Sequence, residues 1–245
     1  MKRKERKGIF IMLKIKTSGK KFIDSEGRQR IFNGINLCEK GWHPEGAEER
    51  VYAFDFTEEL IAKLSSYGIN LVRLGFTWDA IEPQPNKYNE ENIEKIQKVA
   101  DLCAKYGIYF YLDCHQDLYS GAPQTAGDGA PEWACITNGA KFTPTKFVWA
   151  EGYFWGKAVH NAFDNFWANK EYNGIPLQTY YCDMWKHVAE RFKDHPALFG
   201  FDLLNEPFPG TDGGKIFRKL ILTRNINIIT NHIHIINRSI VKCNL

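Results

Sequence analysis

Patterns typical of buried strands alternate with patterns typical of amphipathic helices over residues 30–207, and this order limits the possible folds more than any other feature. The strand candidates are short apolar runs without polar alternation, which indicates burial on both faces of a sheet. Strands that alternate with helices pair in parallel through right-handed crossovers. The sequence therefore predicts an α/β protein with a parallel sheet. Its first four strands are predicted at residues 30–37, 69–74, 108–112 and 198–204.

Capping residues mark where the helices between these strands begin and end. Asp55 and Thr57 are candidate N-caps for a first helix that Gly68 ends, since a short polar side chain can accept from the first free N–H groups and glycine tolerates the turn that follows. A second helix is predicted to begin at Asn89 and to end at Gly107. A long glycine-, proline- and aromatic-rich segment covers residues 116–154, and helical patterns follow at 163–168 and 180–192.

The length and composition exclude several classes of protein. A chain of 245 residues can form one large domain or two small ones, and α/β barrels use about 200 to 250 residues for a single domain. With 44% hydrophobic and 25% charged residues, the chain can build a core and is not of the disordered type. A net charge of +3 gives no reason to expect a nucleic-acid partner. No apolar run approaches the roughly 18 residues of a membrane span.

The cysteines and the N-terminus give no sign of a metal site or of export. The six cysteines contain no C-x-x-C pair and no zinc-type spacing, so we interpret them as reduced thiols. His115 and Asp117 form an H-x-D pair, but no second histidine pair lies at a suitable position, and we predict neither metal nor cofactor. Residues 1–14 are a basic extension whose apolar run is too short for a signal peptide, or the start codon lies too early and Met12 is the true start; a cytoplasmic location is predicted.

Polar residues cluster where the predicted strands end. Arg73 lies in the second strand, and His115 and Asp117 follow the third. Asn205 and Glu206 follow the fourth. In a (β/α)₈ barrel the carboxyl ends of the strands form one face, so these groups would converge there. An open doubly wound sheet also binds ligands at this edge, but residues 33–36 lack its glycine-rich phosphate turn.

The residue types at these strand ends suit carbohydrate chemistry. Glu206 at the sheet's mouth can act as a general acid, and Asn205 can donate to a substrate hydroxyl, although Asn-Glu-Pro by itself is equally typical of a strand-ending turn. Indole rings stack on the C–H faces of sugars, although aromatic residues more commonly pack in a core or a lid. The tryptophans expected in loops or short helices above the sheet are Trp78, Trp133, Trp149, Trp155 and Trp167.

Several motifs in the same order resemble the first half of the catalytic domain of glycoside hydrolase family 5, the retaining (β/α)₈ enzymes of clan A. The likeness covers roughly residues 15–215 and is greatest to the endoglycoceramidase-like members. The segments that carry it are Asn33-Gly34-Ile35-Asn36, Val72-Arg73, Trp78 with Glu82-Pro83, Asp113 to Gly121, Gly129 to Ala134, Ala162 to Trp167 and Phe201 to Phe208.

The resemblance implies a role for each strand-end residue. Glu206 would be the general acid/base and Asn205 would contact the sugar 2-hydroxyl. Arg73 would support the carboxylate of the nucleophile, and His115 would line the cleavage subsite. The residues expected to recognise the substrate are Asp117, Lys40, Trp78 and Trp133.

The resemblance also implies a second carboxylate, a nucleophile that ends the seventh strand of this family. Four βα units occupy most of the chain, so we expect a barrel truncated to about its first four units, residues 15–215, without that nucleophile. Residues 216–245 are rich in Ile and Asn and are expected to be a non-family tail from a frameshift or a gene-model error. On this interpretation the chain would be inactive as it stands.

The expected function is hydrolysis of an O-glycosyl bond, with the linkage between glycan and ceramide in a glycosphingolipid as the first candidate. A β-glucanase or cellulase-like polysaccharide hydrolase on the same fold is the alternative within this class. A non-catalytic carbohydrate-binding half barrel is an alternative from another class. Half of a split barrel, completed by another chain, is the last.

Overall fold

A computed structural model describes residues 12–42, 44–45 and 50–211. The chain begins with a small antiparallel sheet of three strands, β1 (Ile15–Ser18), β2 (Lys21–Asp24) and β3 (Gln29–Arg30). The predicted tail at 216–245 and most of the predicted extension at 1–14 lie outside the described residues, so these domain boundaries stay predictions.

A four-stranded parallel sheet organises the rest of the described chain. Its strands lie in chain order, so each crossover leads to the next neighbour, as the alternating pattern predicted. The register brings Arg73 opposite Asn36, and Thr77 opposite His115. The strands are β4 (Gly34–Cys38), β5 (Leu71–Thr77), β6 (Tyr109–His115) and β9 (Leu198–Asp202). The fold class is therefore the predicted one, α/β with a parallel sheet.

The predicted N-caps form at Thr57 and Asn89, whereas Asp55, the other candidate for the first helix, is not its N-cap. The Thr57 hydroxyl accepts from the Leu60 N–H at 3.3 Å, and the Asn89 carboxamide accepts from the Asn92 N–H at 3.1 Å. Gly68, with φ +83°, follows the end of the first helix directly after its C-cap residue. The helices are α1 (Glu58–Ser66), α2 (Trp78–Ile81), α3 (Glu90–Lys105), α4 (Gly152–Trp155), α5 (Lys157–Trp167) and α6 (Leu177–Phe192). Two 3-10 turns lie at Glu132–Ala134 and Trp149–Glu151. A short hairpin is formed by β7 (Glu171–Tyr172) and β8 (Ile175–Pro176).

The strand bounds differ from the predicted ones at the carboxyl ends. β5 continues to Thr77 and β6 to His115, three residues beyond the predicted ends, whereas β9 stops at Asp202, two residues early. A strand that is predicted from a run of apolar residues ends where the first polar side chain occurs. Here Asp113 and His115 stay in the ladder, because Asp113 pairs with Arg73 on the neighbouring strand and His115 pairs with Asp113. His115 therefore ends a strand and does not follow one.

The amino ends of the same strands are covered by the small sheet. The Phe22 ring on β2 lies 5.3 Å from that of Phe199 on β9, and Phe32 contacts Phe199 at 4.9 Å and Tyr109 at 5.8 Å. The Tyr109 hydroxyl also donates to the Leu13 carbonyl at 2.6 Å. The small sheet was missed in the sequence because its strands of two to four residues show little periodicity. No helix in the described part of the chain is long and apolar enough to cross a membrane.

Candidate active site

Arg73 is the centre of the polar residues at the carboxyl ends of the strands. Its Nη2 lies 2.8 Å from both Asp113 Oδ1 and Asp202 Oδ2, and it donates to Asn205 Oδ1 at 2.9 Å. Asp113 is fully buried, and burial raises the pKa of its carboxyl group although His115 and Arg73 oppose that shift. One guanidinium therefore joins three strands of the sheet and holds the Asn205 side chain in one orientation.

His115 extends this network. Its Nδ1 lies 2.8 Å from Asp113 Oδ2, and its Nε2 lies 3.5 Å from Asp117 Oδ2. Burial alone would lower the pKa of His115, but hydrogen bonds to Asp113, Asp117 and Cys38 outweigh it and raise that pKa to about 11. The carboxylates therefore favour the imidazolium form, in which both ring nitrogens carry a proton.

Lys40 and Asp117 form the outer end of the network. The Lys40 ammonium pairs with the Asp117 carboxylate and lies 3.5 Å from Asp128 Oδ2. Asp128 Oδ1 accepts from the Asp117 N–H at 2.9 Å, and the two backbones exchange hydrogen bonds. Gly127 permits this approach, because a Cβ there would lie 1.9 Å from the Asp117 carbonyl oxygen. Lys40, the residue assigned most loosely from the sequence, therefore does reach Asp117.

Asn205 and Glu206 follow β9 and differ in exposure. Asn205 is buried, and its Nδ2 donates to the Gln116 carbonyl at 3.0 Å. The Gln116 side chain in turn donates to the Asn205 carbonyl at 2.9 Å and to the Glu206 carbonyl at 3.1 Å. Glu206 is exposed, with φ +41°, and its carboxylate makes no ion pair with any residue of the described ranges. The most exposed carboxylate of the site is thus carried on a fixed backbone.

Trp78 lines a small cavity with His115 and Gln116, but neither it nor Trp133 hydrogen-bonds to the network within the described residues. Trp78 is only 3% exposed, its Nε1 donates to Glu82 at 2.8 Å, and its ring packs edge-on against Tyr181 at 4.9 Å. Trp133 is half-buried and contacts the Trp78 ring at 5.4 Å. Burial raises the pKa of Glu82 to about 7, yet its carboxylate is used in holding Trp78 and a turn. Both tryptophans belong to a packed aromatic cluster, so the predicted stacking of Trp78 on a sugar has no open ring face to use.

Four residues of the network were missed in the sequence. Asp113 and Asp202 pair with Arg73, Asp128 supports the Lys40–Asp117 pair, and Gln116 fixes the backbone at Asn205 and Glu206. Asp202 and Gln116 lie inside two segments that carry the family resemblance, so the sequence did offer a reason to consider them. Asp128 lies eleven residues from its partner in an irregular segment, and no spacing rule would have found it.

Two groups of side chains in the described part of the chain have ligand atoms close enough for a metal ion. They are Cys38, Asp113 and His115, and His115, Asp117 and Asp128. Both groups contain His115, and its ion pairs with Asp113 and Asp117 raise its pKa, so a metal would have to displace a tightly held proton. The absence of a metal stays a prediction.

With this geometry in place, comparison with known proteins identifies the family. The profile of the Cellulase (glycosyl hydrolase family 5) family matches residues 23–240, and the chain belongs to that family. An endoglycoceramidase of Hydra vulgaris is 35% identical over 211 residues, which is 77% of this chain and 39% of the relative. An endoglycoceramidase of Cyanea nozakii is 32% identical over 225 residues, 82% of this chain and 42% of the relative.

The solved structures agree with the fold. Endo-glycoceramidase II from Rhodococcus sp., in a complex with ganglioside GM3, superposes with a TM-score of 0.71 and 31% identity. The match covers 89% of this chain and 49% of that chain. The chain therefore spans about half the length of the proteins it matches, and its sheet corresponds to part of a (β/α)₈ barrel, as the sequence predicted.

Proposed function

We propose that this chain supplies the acid/base part of a retaining β-glycosidase that cleaves the bond between glycan and ceramide in a glycosphingolipid. The chemistry rests on one observation, the way in which Asn205 is held beside Glu206. The substrate class is supported by the endoglycoceramidases of Hydra vulgaris and Cyanea nozakii and by the ganglioside in the Rhodococcus complex.

The Asn205 amide keeps one hydrogen for a substrate. Its oxygen accepts from Arg73, and one hydrogen of Nδ2 is donated to the Gln116 carbonyl. Its other neighbour is His115 Nε2 at 3.4 Å, which could accept from Nδ2 only as a neutral ring, and the raised pKa of His115 favours the charged form, which cannot accept. The remaining Nδ2 hydrogen is therefore available to a sugar hydroxyl, which supports the predicted contact with the 2-hydroxyl.

Glu206 is suited to proton transfer by its position. The carboxyl group is exposed at the carboxyl face, while Gln116 fixes its backbone. In hydrolysis its proton would pass to the ceramide oxygen as the bond to the anomeric carbon breaks, and the carboxylate would then take a proton from the attacking water. The Lys40 ammonium can donate hydrogen bonds and the Asp117 carboxylate can accept them, so this pair would bind hydroxyls of the glycan.

The second carboxylate of the reaction is not evident at the described strand ends. Asp113 and Asp202 are paired with Arg73, and Asp117 is paired with Lys40. A retaining mechanism needs a carboxylate about 5 to 5.5 Å from the acid, on the opposite face of the sugar. We propose that it comes from outside the described residues.

Formate can test the acid/base role independently of the missing nucleophile. A small carboxylate from solution can attack the anomeric carbon in place of the enzyme's own nucleophile. The chain is incubated with lactosylceramide or ganglioside GM3, with and without sodium formate, and the released oligosaccharide is measured. We expect release only with formate, and its loss in Glu206→Gln. Glu59→Gln, an exposed carboxylate on α1, is the matched control and should keep the release.

The outcomes separate the candidate functions. Release from a β-glucan instead of the glycolipid would favour the polysaccharide hydrolase. Binding of the oligosaccharide, lost in Lys40→Met but without release under either condition, would make the chain a carbohydrate-binding module. Release that persists in Glu206→Gln would overturn the acid/base role.

A further inference from the structure

A short segment after β6 exposes an unusual number of large apolar side chains. Five of them lie within nine residues, and each is between 54% and 89% exposed. Soluble proteins seldom leave such a contiguous patch in water, and a patch of this kind marks a site of interaction. We call it the aromatic surface, and it consists of Phe147, Val148, Trp149, Phe154 and Trp155.

The aromatic surface is held rigidly in its exposed position. The Glu151 carboxylate accepts from the backbone N–H groups of Lys146 at 2.8 Å and Phe147 at 3.0 Å. Tyr153, between the exposed rings, is buried, and its hydroxyl accepts from the Leu118 N–H at 3.0 Å. The same hydroxyl donates to Gln116 Oε1 at 3.3 Å. The segment that carries the exposed rings is thus hydrogen-bonded, through Tyr153, to the Gln116 side chain that fixes Glu206.

The segment that carries the aromatic surface is mostly basic. Lys141, Lys146 and Lys157 are exposed beside it. Glu151 is the single acidic residue between residues 139 and 157, and its carboxylate is occupied by backbone N–H groups. An exposed apolar patch with lysines at its edge matches the interface of an anionic lipid bilayer, where aromatic rings lie at the headgroup level and lysines meet phosphate.

We propose that the aromatic surface docks the protein onto an anionic membrane. The segment follows the carboxyl end of β6, on the side of the sheet where Arg73, His115 and Glu206 lie. Docking would therefore bring that face to the membrane. This inference rests on exposure and charge and not on the proposed hydrolysis.

Vesicle flotation tests the proposal without any glycolipid. The chain is mixed with vesicles of phosphatidylcholine alone or with added phosphatidylserine, and bound protein is measured. We expect binding to the phosphatidylserine vesicles that weakens about tenfold or more in Phe154→Ser/Trp155→Ser, since two large apolar side chains no longer leave water. Ile31→Ser is the matched control, because Ile31 is 75% exposed and precedes β4 at the opposite end of the sheet.

A second pair of variants tests the charge. Lys146→Glu should lower the binding to phosphatidylserine vesicles by about fivefold or more, while Lys20→Glu, exposed in the β1–β2 turn, leaves it unchanged. Circular dichroism verifies that each variant is folded. Equal binding by the double variant and the wild type, or no binding by the wild type, would overturn the proposal. Self-association that the double variant loses, without vesicle binding, would instead assign the surface to a second copy of the chain.

Discussion

The two ends of the parallel sheet use the same strands for opposite purposes. At the carboxyl ends, Arg73 and His115 are surrounded by carboxylates in a network of ion pairs. At the amino ends, Phe22, Phe32 and Phe199 pack edge-to-face under the small sheet. Apolar packing stabilises without directing chemistry, whereas buried charges cost desolvation and leave groups that can act on a substrate. Both ends therefore hold the sheet together, the amino end by apolar packing and the carboxyl end by paired charges that also face a substrate.

Two histidines show the same contrast. His115 ends β6 among carboxylates, which raise its pKa to about 11 against the effect of burial. His195 precedes β9 at the amino end, and there burial outweighs Asp101 and lowers its pKa. The His195 ring packs 4.9 Å from Phe110. The environment at each end thus favours the charged form of one imidazole and the neutral form of the other.

The largest loss of stability is expected from a substitution at the carboxyl ends of the strands. Arg73→Met would remove one of the two cations beside the fully buried Asp113 and the partner of Asp202, and we expect the free energy of unfolding to fall by about 3–5 kcal/mol. The matched control is Arg191→Met, since Arg191 pairs with Glu90 on the surface and should contribute less than about 1 kcal/mol. Urea unfolding measures both. Equal losses would show that the Arg73 network contributes no more than a surface pair.

A smaller loss is expected from the aromatic packing at the amino end. Phe199→Ala removes a partly buried ring that contacts Phe22 and Phe32, and should cost about 2–3 kcal/mol in urea unfolding. Oligosaccharide binding should be unchanged in the folded variant. Phe142→Ala is the control, because the Phe142 ring is more exposed and its loss should change the free energy of unfolding little. Loss of oligosaccharide binding in folded Phe199→Ala would break the division between the two ends.

The two histidines predict opposite dependences on pH. The pKa of His115 is higher in the folded state than the unfolded value of about 6.5, so its stabilisation is complete below about pH 6.5 and is lost as the pH rises towards about 11. His115→Gln should remove about 1–2 kcal/mol of the decline between about pH 6 and pH 9.

His195 supplies the matched control for this measurement. Its pKa is lowered on folding, so its contribution is present above the unfolded pKa and is lost as the pH falls below about 6.5. Unfolding of His195→Gln should therefore differ from the wild type chiefly at acid pH. The same pH slope for both variants would contradict the assigned protonation states.

The smallest effect concerns the backbone at Glu206. Its φ of +41° is unfavourable for glutamate and better tolerated by asparagine. Glu206→Asn should therefore be about 0.5 kcal/mol more stable than Glu206→Gln. Neither variant keeps the carboxylate, so the difference in their thermal unfolding measures the effect of the backbone conformation alone. A difference of zero would show that this conformation stores no strain at the site.

Much of the fold could be predicted from local patterns, and much of the site could not. Caps such as Thr57 and Asn89 depend on residues three apart, which a sequence displays directly. The ends of β5 and β6 were placed too early, because Asp113 and His115 are polar and the partner of Asp113 lies on another strand. Trp78 was expected to bind substrate above the sheet, whereas its ring is 3% exposed among other aromatic rings. Burial and distant pairing are properties of the packed chain.

Periodicity and the direction of parallel strands were enough to predict the alternation of strands and helices, the parallel sheet, and the carboxyl edge near which Arg73, His115, Asn205 and Glu206 lie. The support of Lys40 by Asp128 and the raised pKa of His115 could not be predicted in this way. Pairing and protonation depend on the distance between charges and on how much water remains around them, and both are fixed only when distant segments pack together.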